Sequence, residues 1–240
     1  DDQSIYGWRG SSPDYLTNFK KRFPSENIDL IFMNNNYRSF QSIIDTAESC
    51  LDYKTPFDKK GISNRNDNTP RLYFEEVKKP KGSEKARLNK PSLVLMNSVG
   101  RVLANDKVKD SDCDFLVMAK TNHELNKLQK SYKHKLKNRN GDELSVRFET
   151  FHRSKGLEAR YCLLVEDCYY NSEHPIKNNL YSLVGFSLSY DAAQKQESMR
   201  LAYVALTRAK DKVWWIAPEG SEGSFASAKR YAKNNKHVFS

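Results

Sequence analysis

A guanidinium on an otherwise apolar helical stripe needs an anion, and the stretch YVALTRAK, Tyr203–Lys210, offers one. The spacing predicts a helix over Glu197–Lys210, on which Leu201, Val204, Ala205 and Arg208 share one face. Two partners would satisfy Arg208: a carboxylate of the same protein, or a phosphate reached across a cleft as an arginine finger. In NNNYRS, Asn34–Ser39, the Tyr37 ring can stack on a base while Arg38 binds a phosphate, and Ser39 could equally be a plain helix N-cap. In TFHRSKGLEA, Thr150–Ala159, the side chains of His152, Arg153, Lys155 and Glu158 crowd a glycine-containing loop. That loop reads as a solvated turn, as a metal site through His152, or as a polyanion contact. No second His or Cys stands nearby at ligand spacing, which argues against the metal. The Lys and His suit a phosphate backbone and Glu158 suits a ribose hydroxyl. The opening stretch DDQSIYGWRG, Asp1–Gly10, packs acids, Gln3, Tyr6, Trp8 and Arg9 between glycines.

These stretches need a scaffold, and the composition allows one. The chain has 240 residues, of which 38% are hydrophobic, enough for a core in one large or two small domains. A net charge of +10 favours polyanionic partners, nucleic acid or nucleotide phosphates, although solubility alone would also explain it. Cys50, Cys113, Cys162 and Cys168 form no CxxC pair and read as reduced thiols of an intracellular, cytoplasmic protein, associated with the nucleoid if bacterial. No apolar run approaches the roughly 18 residues of a membrane span, and no signal peptide opens the chain, so no membrane partner is expected. The start on Asp-Asp without Met reads as a fragment or a processed product. No Gly-Lys dipeptide occurs anywhere, so the phosphate-binding loop Gly-x4-Gly-Lys-Ser/Thr is absent from the chain.

Periodicity predicts a helix over Pro13–Phe23, a strand over Ile28–Met33, a helix over Gln41–Leu51 and a polar loop over Lys54–Pro70. A strand RLYFEEV follows, then a basic connector, Lys78–Lys90, and a helical face of Leu95, Val99, Val102 and Leu103. Further along come a strand at Asp114–Ala119, a helix near Asn122–Leu136, a turn at NRNGDE, and strands SVRFETF and YCLLVED. Tyr169–Ala193 is ambiguous; a strand at Lys212–Ala217 and a helix near Phe225–Lys233 close the chain. Strands alternating with helices predict an α/β fold with a mainly parallel sheet flanked by helices. In such sheets ligand sites are expected beyond the carboxyl ends of the strands.

Taken in order, DDQSIYGWRG, NYRS, FHRSKGLEA and MRLAYVALTRAK closely resemble motifs III, IV, V and VI of the UvrD/Rep-type superfamily 1 DNA helicases. The resemblance spans most of the chain. It implies a RecA-like motor domain, related to P-loop NTPases but without a P-loop: residues 1–12 as the tail of the first motor domain and 13–240 as the second. The Walker A loop and Walker B acids of the first domain have no counterpart here. Family members such as UvrD and Rep place a large insertion between motifs IV and V. Here only Phe40–Glu149 separates them, so the insertion is absent, as in helicase IV-like members, or has been removed.

The resemblance implies roles residue by residue. Gln3 would contact the γ-phosphate of ATP. Trp8, with Tyr6 and Arg9 beside it, would stack on single-stranded DNA. Tyr37 would stack on adenine and Arg38 reach the γ-phosphate. His152 would meet the DNA backbone with Lys155 nearby, Glu158 would bind the ATP ribose, and Arg208 would be the second phosphate arginine. ATP with Mg2+ would bind only together with the missing N-terminal RecA-like domain, and the partners would be single-stranded DNA or duplex junctions. By itself the fragment would be inactive, with its opening segment loosely ordered or packed in a non-native way. The sequence departs from the family in three places. Glu197-Ser198-Met199-Arg200 stands where Glu-Glu-Arg-Arg is usual, Arg153 where small residues are common, and Ala159 where an aromatic is usual. A non-catalytic nucleic-acid-binding or regulatory module that keeps the helicase fold is the alternative.

Overall fold

Five apolar segments pair side by side, all parallel, in the computed structural model, which describes residues 1–9, 11–24, 29, 31–53, 60–78, 114–131 and 145–239. Strands β3 (Leu72–Val77), β4 (Asp114–Ala119), β5 (Ser145–Thr150), β6 (Ala159–Val165) and β7 (Ala209–Pro218) lie in the order β3-β7-β6-β4-β5. A separate two-residue pairing joins β1 (Asn35–Asn36) to β2 (Ile62–Ser63). The predicted α/β fold with a parallel sheet is therefore observed.

Side-chain alternation covers both faces of the sheet. Leu116, Met118, Cys162, Leu164, Val213 and Trp215 point to one face. There they pack with Ile43 and Ala47 of helix α3 (Gln41–Glu48), Leu201, Val204 and Ala205 of α6 (Tyr190–Leu206), and Phe225 and Ala228 of α7 (Ser224–Asn234). Phe115, Val117, Leu163, Trp214 and Ile216 point to the other face, with Leu125 and Leu128 of α4 (Asn122–Ser131). The run Val213–Ala217 is buried throughout, as a central parallel strand should be.

Several expectations need correction. The single helix over Pro13–Phe23 is two short pieces, α1 (Asp14–Thr17) and α2 (Phe19–Arg22), which break at Asn18 with φ −107°. Tyr15, Leu16, Phe19 and Phe23 stay exposed, so no core contact holds the segment straight. Of the strand expected over Ile28–Met33, the described residues Ile31–Met33 pair with no strand among the described residues, and Ile31 and Met33 are 85% and 96% exposed. The pairing begins only at Asn35. The ambiguous stretch before Ala193 holds a further helix, α5 (Pro175–Val184), which has Pro at its start and ends on Gly185 at φ 78°.

Helix α6 starts earlier than expected because the Ser189 hydroxyl accepts the Ala192 N–H as an N-cap. It also stops earlier, at Leu206. The Thr207 hydroxyl turns back to the carbonyls of Tyr203 and Val204, and β7 begins at Ala209. Arg208 thus stands in the turn between helix and strand, not on the helix. The connector beyond Lys78, the helical face at 95–103, the end of the helix at 132–136, the NRNGDE turn and Cys113 lie outside the described residues, as do 54–59 of the polar loop. Among the described residues, no helix is long and apolar enough to cross a membrane.

Candidate nucleotide and nucleic-acid site

Parallel strands force the loop between β5 and β6 to travel from one edge of the sheet to the other. The Phe151 N–H bonds to the carbonyl of Ala119, at the carboxyl end of β4, and the Ala159 N–H bonds to the carbonyl of Arg208, just before β7. Residues 151–158 span the distance between. Ser154 fixes the crossing: it is fully buried, its hydroxyl donates to the Phe151 carbonyl at 2.7 Å, and its N–H donates to Thr150. Gly156 sits at φ 91°, a left-handed conformation that side chains rarely adopt. His152 and Glu158 consequently stand at opposite ends of one loop.

At the far end of this loop, Glu158 and Lys210 meet at the amino ends of β6 and β7. This corrects the expectation of a site at the carboxyl ends, which holds only for the beginning of the loop. Lys210 Nζ lies 2.5 Å from one Glu158 oxygen, and Arg38 Nε donates to the other at 2.8 Å. Held chiefly by Lys210 and then by Arg38, the Glu158 carboxyl falls to about 2 and is an acceptor-only anion at neutral pH. Arg38 also donates to the Thr207 carbonyl at 3.3 Å. Its backbone is fixed by Asn36, whose side-chain oxygen accepts the N–H groups of Arg38 and Ser39 directly after β1. Ser39 is not the N-cap. Phe40 occupies that position, and the buried Ser39 hydroxyl donates to the Ala209 carbonyl at 2.6 Å.

These groups frame a cavity of about 560 Å³ lined by Asn35, Asn36, Tyr37, Arg38, Arg65, Glu158 and Lys210. Tyr37 is 72% exposed, so its ring is open to a stacking partner. Arg65 donates to the carbonyls of Arg38 and Lys210 and, at 2.6 Å, to Asp211, which also accepts from Arg160. Three cations against Glu158 on the cavity wall suit an anionic ligand, and the volume lies in the range of small-molecule pockets.

Arg208 is 2% exposed and does not line this cavity. Its guanidinium donates to the carbonyls of Val204 and Leu157 and to the Thr207 hydroxyl. Among the described residues no carboxylate pairs with it, so the internal ion pair is not what holds it. Burial, with Arg38 nearby, lowers its pKa to about 10, and it remains a cation at neutral pH.

Near the start of the loop a second group forms around residues 3–9. Ile5 is fully buried in the core, so of the two expected states of the opening segment the loosely ordered one is not observed. The Tyr6 hydroxyl donates to the His152 carbonyl at 3.2 Å, and the two rings lie 6.5 Å apart. Lys155 Nζ donates to the Gln3 carbonyl at 2.7 Å and lies 5.2 Å from the Tyr6 ring centre; the Arg9 guanidinium is 5.5 Å from the same ring. Trp8 falls in the middle of the 3₁₀ turn Gly7–Arg9. Burial lowers the His152 pKa, which favours a neutral ring over a cation. Arg153 and the Gln3 side chain are exposed. Gln3 is tied to Lys155, and among the described residues no hydrogen bond or ion pair joins it to the Arg38–Glu158 pair. Ala159, where an aromatic was expected, is buried and pairs with Ala209 at the start of the β6–β7 ladder, so the packing closes with a small residue.

Residues 108–219 match the UvrD-like helicase C-terminal domain. The matched region contains His152, Lys155, Glu158, Arg208 and Lys210; the stretches around Gln3 and Arg38 precede it. The chain is 34% identical over 76 residues to the ATP-dependent DNA helicase PcrA of Staphylococcus aureus, a stretch covering 32% of this chain and 10% of that protein. It is 42% identical over 62 residues to the ATP-dependent DNA helicase Rep of Buchnera aphidicola, covering 26% and 9%. The matches thus span about a tenth of those relatives' length. Among solved structures, the C-terminal domain of a possible DNA helicase from Lactobacillus plantarum aligns over 80% of this chain and 94% of its own, with a TM-score of 0.46 and 17% identity.

Sequence reasoning missed three members of the site lining the cavity. Lys210 is the last residue of TRAK and was overlooked because the helix was carried too far. Asn36 carried a signal, an Asn just before a helix start. Arg65 lies in a polar loop with no pattern to mark it.

Proposed function

We propose that the chain contains the second RecA-like motor domain of a superfamily 1 ATP-dependent DNA helicase, residues 13–240, and that residues 1–12 close the first. The observation that carries this reading is the cavity at the amino ends of β6 and β7, where Tyr37, Arg38, Glu158 and Lys210 converge. Tyr37 would stack on the adenine, Glu158 would accept a ribose hydroxyl, and Arg38 would turn from Glu158 toward the γ-phosphate. Arg208 would complete the phosphate contact once cleft closure draws it from its carbonyl partners. Gln3 would report the γ-phosphate to the DNA side. Mg2+ and the remaining phosphate contacts would come from a first motor domain with a Walker A loop, so this chain alone hydrolyses no ATP. When bound, ATP supplies the phosphoanhydride whose hydrolysis drives opening and closing of the cleft. On the other side Tyr6, Trp8, Arg9, His152 and Lys155 would hold single-stranded DNA, with Tyr6 and Trp8 as stacking rings.

The test joins this chain to a first motor domain carrying a Walker A loop and measures DNA-stimulated ATP turnover. Arg208→Ala should lower turnover by roughly 10³-fold or more, as expected for an arginine finger. Unchanged turnover would remove the assigned role. One observation favours a second reading, a binding module without catalysis: both arginines already have partners inside the chain. Tight single-strand binding in a gel shift, with no turnover in the joined protein, would select that reading.

A further inference from the structure

Residues 1–6 belong to no helix or strand, yet the segment has a defined seat on helix α6. Arg200 Nε donates to the Ser4 carbonyl at 2.8 Å, and Glu197 Oε2 accepts the Gly7 N–H at 3.2 Å. Glu197 and Arg200 stand three residues apart and so share one helical face. Both are nearly buried, at 9% and 4% exposure, where a charged group needs a partner. The bonds they make to this segment go to main-chain groups at either end of the Ser4–Gly7 stretch. Within it, Ile5 enters the core and Tyr6 faces His152 and Lys155. The Arg200 guanidinium also lies 5.8 Å from the centre of the Tyr53 ring. Gly7 adds an independent constraint: a methyl group there would overlap the Glu197 carboxylate.

We propose that Glu197 and Arg200 are positioning residues for the single-strand contact: they clamp the main chain at Gly7 and Ser4 and so hold Tyr6 against His152 and Lys155. This rests on the reading of Tyr6, His152 and Lys155 as DNA contacts. The clamp uses one acid and one base of the segment Glu197–Arg200, which keeps a complementary pair where the family usually carries two of each.

The experiment uses the full chain and two readouts. Hydrogen exchange at the Gly7 amide reports on the clamp. Fluorescence anisotropy of a labelled oligo(dT) reports on the contact. Glu197→Ala should speed exchange at Gly7, and Glu197→Ala and Gly7→Ala should each weaken oligo(dT) binding by about fivefold or more, toward the loss produced by Tyr6→Ala. Glu197→Gln keeps a carbonyl oxygen for the Gly7 N–H and should retain most of the affinity. A merely structural role would lower thermal stability and leave the affinity of the folded protein alone. If Tyr6→Ala loses affinity and the clamp variants do not, the proposal fails while the strand reading stands. If Tyr6→Ala binds oligo(dT) like the parent, the strand reading fails and takes the proposal with it.

Discussion

The two ends of the loop between β5 and β6 are built in different ways. At Glu158 the structure gathers charged side chains at a half-open surface: Lys210 and Arg38 share one carboxylate, and Arg65 ties their main chains together. At His152 a segment without regular structure is held by buried groups, through Ile5 in the core and main-chain bonds from Glu197 and Arg200. Exposed ion pairs contribute little to stability and can exchange partners readily. Buried apolar and main-chain contacts contribute more and move less easily. The first arrangement suits a site that must release one anion to take another. The second suits a surface that must keep its shape.

Changes can break that contrast. The largest stability effect should come from Ile5→Ala, which removes a fully buried side chain from the core and should cost about 2–5 kcal/mol in denaturant unfolding. A loss below about 1 kcal/mol would mean that the opening segment is not part of the core. Ser39→Ala should cost about 1–3 kcal/mol, since it leaves the buried Ala209 carbonyl without its hydroxyl partner. Lys210→Ala should change stability by less than about 1 kcal/mol, because its pair is largely exposed. A larger loss would make the pocket as structural as the seat. The same variant should still move a titration. The Glu158 carboxyl is held at about 2, below its ordinary 4.5, first by Lys210 and then by Arg38. The contribution of the pair is therefore complete above the ordinary carboxylate range and is lost as pH falls through about 2. A carbon-detected NMR titration of Glu158 should show this low midpoint, and Lys210→Ala should raise it.

The legibility of the sequence follows the same division. Strands such as Val213–Ala217 were readable because a central parallel strand is apolar throughout, and the YRS, SKGLE and TRAK stretches stood out by their side-chain types. The site's location was not readable. It depends on a loop that crosses the sheet, which moves Glu158 to the amino ends of β6 and β7, and periodicity carries no such information. The end of α6 was misplaced because apolar spacing continues past Leu206 into the strand, and only the Thr207 hydroxyl bonds mark the stop. The seat of residues 3–7 was illegible for a plainer reason. It uses main-chain groups, and its partners lie about 190 positions away along the chain.

Separate mutation of the two ends shows whether they divide the labour. In the chain joined to a first motor domain, Arg38→Ala and Tyr6→Ala should be compared for ATP turnover at saturating oligo(dT) and for oligo(dT) affinity without nucleotide. Arg38→Ala should abolish turnover and leave the affinity within about twofold, as expected for sites without shared partners. Tyr6→Ala should weaken the affinity by about fivefold or more. Full turnover with Arg38→Ala, or equal loss of oligo(dT) affinity in both variants, would contradict it.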